Sequence, residues 1–331
     1  MKLCRNIFFN IAFLLSNFLF AQGEGGIKWL KIEDAMAQNE LQKKPILIDF
    51  YTEWCGWCKK MDASTYANPG LAAYINMYFY AVKFDAETHD TIVYEGKKYT
   101  NKSKEKRSSH DLAIKLLEGK MSYPTTLLFN NNFKFRLAVP GYVDGPTLEP
   151  ILIYALENVF LSTPVEEFRN EFKKAFIDTT WKRYDVNWTS FTEAMKKREK
   201  KPKLVFLSIY TDWCNSCKTM QRSTFRDSTL SVYLNKNFYC ASLNAQSFDT
   251  IVYNNVKFGF NPQEQAFHSF VNAIQNNSPA LPCLVVFDEE GKIIATLPYY
   301  YSAASLHKVL GYFVSGAYKK QKWEEYQKTL K

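Results

Sequence analysis

Glycine and proline are scarce, with 13 and 12 residues in a chain of 331. That excludes a collagen-like or low-complexity chain. Cysteine is scarce too: seven in this length cannot staple a small disulfide scaffold. Beyond the first residues no apolar stretch is long enough to cross a bilayer, which takes about 20 residues. What is plentiful is core material. Hydrophobic residues make up 47% of the chain, with 26 Phe, 21 Tyr and 7 Trp. Disordered chains are poor in aromatics, so the sequence folds. Its length suits about two domains at roughly 150 residues each.

The formal charge is +9. The densest basic stretch, Lys97 to Arg107, carries six Lys/Arg against one Glu, with Tyr99 its one aromatic. No nucleic-acid motif accompanies it. It reads as a solvated basic loop, so nucleic acid is not a partner. A preference for acidic partners is the most that the charge implies.

Residues 1–21 read as a secretory signal peptide. Lys2 and Arg5 form a positive start, and Ile7 to Phe20 is an apolar run interrupted by Asn10, Ser16 and Asn17. Cleavage is expected near Ala21. A retained N-terminal anchor is the alternative. Cys4 precedes the apolar run, misplaced for a lipobox, and leaves with the leader. The mature chain then keeps six cysteines and a charge of +7. It is expected to be periplasmic or secreted, without stable membrane insertion, in an oxidising compartment.

The rest is one unit written twice. Trp29, Ala35-Met36, Tyr51-Thr52, Trp54-Cys55 and Cys58-Lys59 recur 159 residues later. So does Asp90-Thr-Ile-Val-Tyr94. After one deletion the offset is 158, and His110, Pro124, Pro140 and Tyr142 match His268, Pro282, Pro298 and Tyr300. A period this long means duplicated domains, not a solenoid. The first is placed at 23–162, a helical connector opened by Thr163-Pro164 at 163–183, and the second at 184–331. Within the first unit the patterns predict a helix over 32–41 and a buried strand over 45–51. A helix follows from Cys55 to about Ala67, then another capped by Asn68 with Pro69 at its first position. A strand covers 78–84 and a polar segment follows. Ser109 is the expected cap of a helix over 110–118. Strands over 126–130 and 134–139 precede a helix capped by Asp144.

Cys55-Gly-Trp-Cys58 and Cys214-Asn-Ser-Cys217 each follow a strand and open a helix. A helix N-terminus offers free N–H groups and a favourable dipole to a thiolate. The effect is largest on the first cysteine. The second, one turn in, reaches the first sulfur but is shielded from solvent. That separates an attacking from a resolving thiol. Lys59 and Lys60 further favour the Cys55 thiolate.

These residues, Asp49-Phe-Tyr-Thr-Glu-Trp-Cys-Gly-Trp-Cys-Lys59 with Tyr123-Pro124-Thr125, resemble the thioredoxin family, and within it exported thiol–disulfide oxidoreductases. The resemblance covers about 27–160 and 186–316. It implies an α/β chain of two tandem folds, each a central mixed sheet flanked by helices. It implies a cis-proline at Pro124, and by the repeat at Pro282. Substrate contact falls to Trp54, Trp57, Tyr123 and Pro124, and in the second unit to Trp213 and Pro282. Asp49 is implied to be a buried carboxylate exchanging a proton with Cys58; the alternative is a solvent-facing Asp at a strand end. Ser208 takes the place of Asp49 in the second unit, so Cys214 and Cys217 are either a slower redox site or a structural disulfide in a degenerate domain. Cys240 and Cys283 are expected to be unpaired core thiols, on strands either side of the central one. His110 and His268 recur at the same helix start; a packing or surface role is expected, with substrate contact or helix capping the alternative.

The implied activity is thiol–disulfide exchange, with the cysteine pairs as the redox centre and no cofactor. Its partners would be disulfide-bearing client proteins and an upstream thiol electron donor. Asp49 tilts the direction towards reduction of clients. A disulfide oxidase or isomerase, or a peptide-binding scaffold, remains the alternative. A zinc site is excluded by the distance in sequence between the two pairs, so no metal is expected.

Overall fold

The computed structural model describes residues 26–330. The expected leader, with Cys4 and the Ala21 cleavage point, lies outside the described residues. Among the described residues, no helix is long and apolar enough to cross a membrane.

The first unit runs α1 (Ile32–Leu41), β1 (Ile46–Tyr51), α2 (Gly56–Met61), α3 (Pro69–Tyr78), β2 (Tyr80–Asp85), β3 (Ile92–Tyr94), β4 (Lys97–Tyr99), α4 (Asp111–Leu116), β5 (Thr125–Phe129), β6 (Arg136–Pro140) and α5 (Gly145–Leu156). Its sheet has the order β2-β1-β5-β6. β1 pairs parallel with β2 and antiparallel with β5. Such a mixed sheet with helices on both faces needs a central strand apolar on both sides. Ile46-Leu-Ile-Asp-Phe-Tyr51 supplies one, and Asp49 is its lone charge. Separate cores fill the two faces, one around Phe50 and Leu127 and the other around Leu47 and Leu128.

Four local expectations need correction. The helix opened by Cys55 is α only to Met61 and passes through a π-helical turn, Asp62–Tyr66. The strand expected from Tyr78 starts at Tyr80, because α3 keeps Tyr78. The strand expected from Lys134 starts at Arg136, because Asn130 Oδ1 accepts from the Phe135 N–H at 3.0 Å and holds the turn open longer. The polar segment contains a small antiparallel hairpin, β3 with β4.

The connector forms α6 (Val165–Phe176). The second unit then repeats the order: β7 (Trp188–Thr189), α7 (Phe191–Lys200), β8 (Leu204–Tyr210), α8 (Asn215–Arg222), α9 (Ser228–Asn237), β9 (Phe238–Asn244), β10 (Ile251–Tyr253), β11 (Val256–Phe258), α10 (Ser269–Ile274), β12 (Cys283–Phe287), β13 (Ile293–Pro298), α11 (Ala303–Val314) and α12 (Trp323–Thr329). Its sheet order is β13-β12-β8-β9-β7. Two mixed sheets flanked by helices are what the resemblance implies.

α6 is no free linker. Phe168 is fully buried, its ring 6.0 Å from Tyr154 of the first unit and 5.0 Å from Tyr300 of the second. The Thr163 hydroxyl donates to the Tyr300 carbonyl at 3.1 Å. One apolar cluster thereby runs from α5 through α6 into the second sheet.

Candidate active site

β1 delivers the chain to the start of α2, where Cys55 is the N-cap. Its Sγ accepts the Cys58 N–H at 3.0 Å, and the two sulfurs are bonded. Cys55 is the more accessible of two largely buried residues. Trp54 and Trp57 stand half-exposed on either side. Trp57 packs on Tyr142 at 5.6 Å with the Lys60 ammonium 4.6 Å above its ring. Trp54 donates its indole N–H to the Glu87 carboxylate at 3.0 Å and lies 4.4 Å beneath the Arg107 guanidinium. The end of the basic loop therefore reaches the rim of this site. Tyr123–Pro124 is cis. The Pro124 carbonyl accepts the Gly141 N–H at 2.7 Å, while among the described residues neither backbone group of Tyr123 has a hydrogen-bond partner.

Asp49 is 1% exposed, on β1. In the parallel ladder its register partner is Lys83, whose Nζ lies 2.6 Å from Oδ2. The same ammonium binds Asp62 from the π-helical turn. Asp49 Oδ1 has no partner among the described residues. Burial raises the Asp49 pKa, outweighing the pull of Lys83. Burial depresses Lys83, but the two carboxylates carry it above its ordinary value. Trp29 and Tyr51 hold their rings 5.1 and 5.0 Å from Nζ. Sequence reasoning missed Lys83 and Asp62. The available signal was a lysine between Val82 and Phe84 of a buried strand.

In the second unit Cys214 N-caps α8, accepts the Cys217 N–H at 3.1 Å and is bonded to Cys217. Leu281–Pro282 is cis, and Trp213 is half-exposed. The charged apparatus is gone, because Ser208 and Ser242 are register partners where the first unit has Asp49 and Lys83. A residue that sequence reasoning missed takes a place here. Glu157, following α5 of the first unit, accepts from the Asn215 N–H at 2.9 Å and the Ser216 N–H at 2.7 Å. Cys240 and Cys283 are free and buried, on β9 and β12 with β8 between them. Burial pushes both thiols up to about 12.

The two recurring histidines are helix caps. His110 Nδ1 accepts the Leu112 N–H at 3.1 Å, displacing Ser109 as the expected cap, and Nε2 meets the Asp90 carbonyl at 3.1 Å. His268 does the same with Phe270 and Asp249. This accounts for the repeated Asp-Thr-Ile-Val-Tyr: its aspartate carbonyl anchors the buried ring, and its Ile-Val-Tyr forms β3 and β10. Among the described residues, no cluster of three His, Cys, Asp or Glu side chains is arranged to hold a metal.

Residues 32–156 and 191–314 each match the family of thioredoxin-like domains. The thiol:disulfide interchange protein DsbD of two Vibrio vulnificus strains is 31% identical over 48 residues, 14% of this chain and 8% of that protein. The matched part is thus a small fraction of the curated relatives' length. Among solved structures, a DsbH oxidoreductase is similar at 21% identity and a TM-score of 0.30, over 44% of this chain and 94% of that one. A thioredoxin-fold protein from Helicobacter pylori is similar at 19% and 0.30, over 48% and 92%. ERdj5 is similar at 14% and 0.29, over 86% and 28%.

Proposed function

The chain belongs to the thioredoxin-like domain family through both of its units, and from that premise we propose that it reduces protein disulfides through Cys55 and Cys58. It is a thioredoxin-like oxidoreductase with two Cys-x-x-Cys pairs. One observation carries it. The unit whose cysteine pair has half-exposed tryptophans on both sides also buries a carboxyl, Asp49, with a raised pKa. A carboxyl whose pKa is raised by burial takes up a proton more readily than an ordinary one, which suits a proton acceptor for a thiol.

The Cys55 thiolate, favoured at the start of α2, attacks a client disulfide. A Cys55–client bond forms, the client S–S bond breaks, and the released client sulfur takes a proton. Cys58 gives its proton to Asp49 and attacks Cys55 Sγ. The second client sulfur leaves and is protonated. Two electrons have passed to the client, and the Cys55–Cys58 disulfide awaits an upstream thiol donor. The unpaired backbone of Tyr123 beside Pro124 suits a client segment laid down as an added strand. Trp54 and Trp57 offer apolar contact on either side. Cys214 and Cys217 form a second, slower exchange site.

The test is Cys58→Ala in the mature chain. The expected result is mixed disulfides between Cys55 and client proteins, released by dithiothreitol. Complexes that are wholly non-covalent would favour the scaffold reading instead.

A further inference from the structure

The second pair meets a carboxyl that its own unit does not supply. Glu157 stands at the C-terminal cap of α5, in the first unit. Its Oε1 accepts from the Asn215 N–H, and its Oε2 from both the N–H and the hydroxyl of Ser216. Oε2 also lies 3.7 Å from Cys214 Sγ. The free N–H groups that open α8 are therefore taken by an anion of the neighbouring unit. In the first unit, among the described residues, no side chain accepts from the Gly56 or Trp57 N–H. Cys214 is 1% exposed, at one wall of a cleft of about 400 Å³ between Tyr74 and Tyr78 of α3 and Trp213, Leu281 and Tyr299.

The geometry points to Glu157 as the residue that sets the chemistry of the second pair: it fills the anion position at the start of α8, so that reduced Cys214 is held as a thiol and the Cys214–Cys217 disulfide is harder to reduce. This rests on the reading of both pairs as thiol–disulfide sites. The helix start stabilises one negative charge, and Glu157 already uses it. A second charge within 4 Å of it, out of water, is repelled. Reduction by an external dithiol breaks the Cys214–Cys217 bond and joins the two sulfurs of the reductant. Two electrons and two protons arrive, and Cys214 keeps its proton by donating S–H to Glu157 Oε2. The other titratable groups facing Glu157 are Tyr74 from α3 and Lys218 from α8. The Tyr74 phenol is raised by burial and by Glu157, so it adds no charge. Burial raises the Glu157 pKa above its ordinary value, and the hydrogen bonds from Ser216 and Asn215 and the charge of Lys218 offset that only in part.

The experiment compares the whole mature chain with Glu157→Gln and Glu157→Asp. Alkylation of reduced Cys214 is followed against pH, and both pairs are equilibrated with glutathione. Gln removes the charge. The inference expects the Cys214 alkylation profile to move to lower pH and its rate at neutral pH to rise about tenfold, since one unit of pKa is a tenfold change near neutrality. At alkaline pH, above the Cys214 titration, it expects the Cys214–Cys217 equilibrium to move about tenfold towards the dithiol, about 30 mV for a two-electron couple. Asp keeps the charge and should stay close to the parent. An unchanged profile and equilibrium in the Gln variant would overturn it, as would an equal shift at Cys55–Cys58, the mark of a general structural disturbance. If Cys55–Cys58 exchanges and Cys214–Cys217 resists in every variant, the reductant reading stands and this inference falls. If neither pair exchanges, both fall.

Discussion

Asp49 is the residue whose placement works against the fold at neutral pH. Its native pKa lies above the ordinary value of 3.8, because burial outweighs Lys83. Between those two values the native state holds more protons than the unfolded chain, so stability falls as pH rises through that window. Lys83 does not mask the trend. Its pKa is raised above 10.5, so its contribution is complete throughout the neutral range and is lost only as pH rises through that higher value. Asp49→Asn should gain stability relative to the parent as pH rises from 4 to 8, by about 1.4 kcal/mol per unit of elevation. Urea unfolding across that range checks it, and a flat difference would contradict it. The same substitution should slow client reduction by about a hundredfold, the usual contribution of a positioned general base. Asp49 was legible because a charge stood out in an apolar strand. Lys83 and Asp62 became its partners through strand register and a π-helical turn, which no local pattern encodes.

At the scale of elements, the hairpins and the histidine caps act together. His110 accepts from one end of α4 and donates to the carbonyl of Asp90 just before β3, so a single ring joins a helix start to the hairpin. Loss of an N-cap typically costs about 0.5–2 kcal/mol, and an orphaned buried carbonyl adds to that. His110→Ala should therefore lower stability by about 2 kcal/mol, read as a shift in urea midpoint, with exchange at Cys55 unaffected at permissive temperature. Strands and long helices were legible from apolar runs and from the caps Asn68 and Asp144, both of which cap as expected. The hairpins were not, since strands of three residues have too little periodicity to register. Ser109 looked the better cap because serine ordinarily is, and capping by His110 stood only as the alternative to a packing role.

At the scale of the whole molecule, duplication has produced two unequal sites in one packed body. The repeat and both cysteine pairs were legible as local motifs written twice, and both cis-prolines through the family resemblance those motifs carry. Glu157 was not: it follows an apolar helix of one unit and acts on a helix start in the other, a juxtaposition made by α6 and the aromatic contact of Tyr154, Phe168 and Tyr300. The first unit keeps an open helix start and buries an acid, Asp49, on β1. The second has lost the acid and has its helix start filled. The most direct measurement is a glutathione redox titration of the mature chain, with the two cysteine-pair peptides read separately after alkylation. The account predicts that Cys55–Cys58 titrates near thioredoxin's value, about −270 mV. A value near about −120 mV would make the protein an oxidant and contradict it.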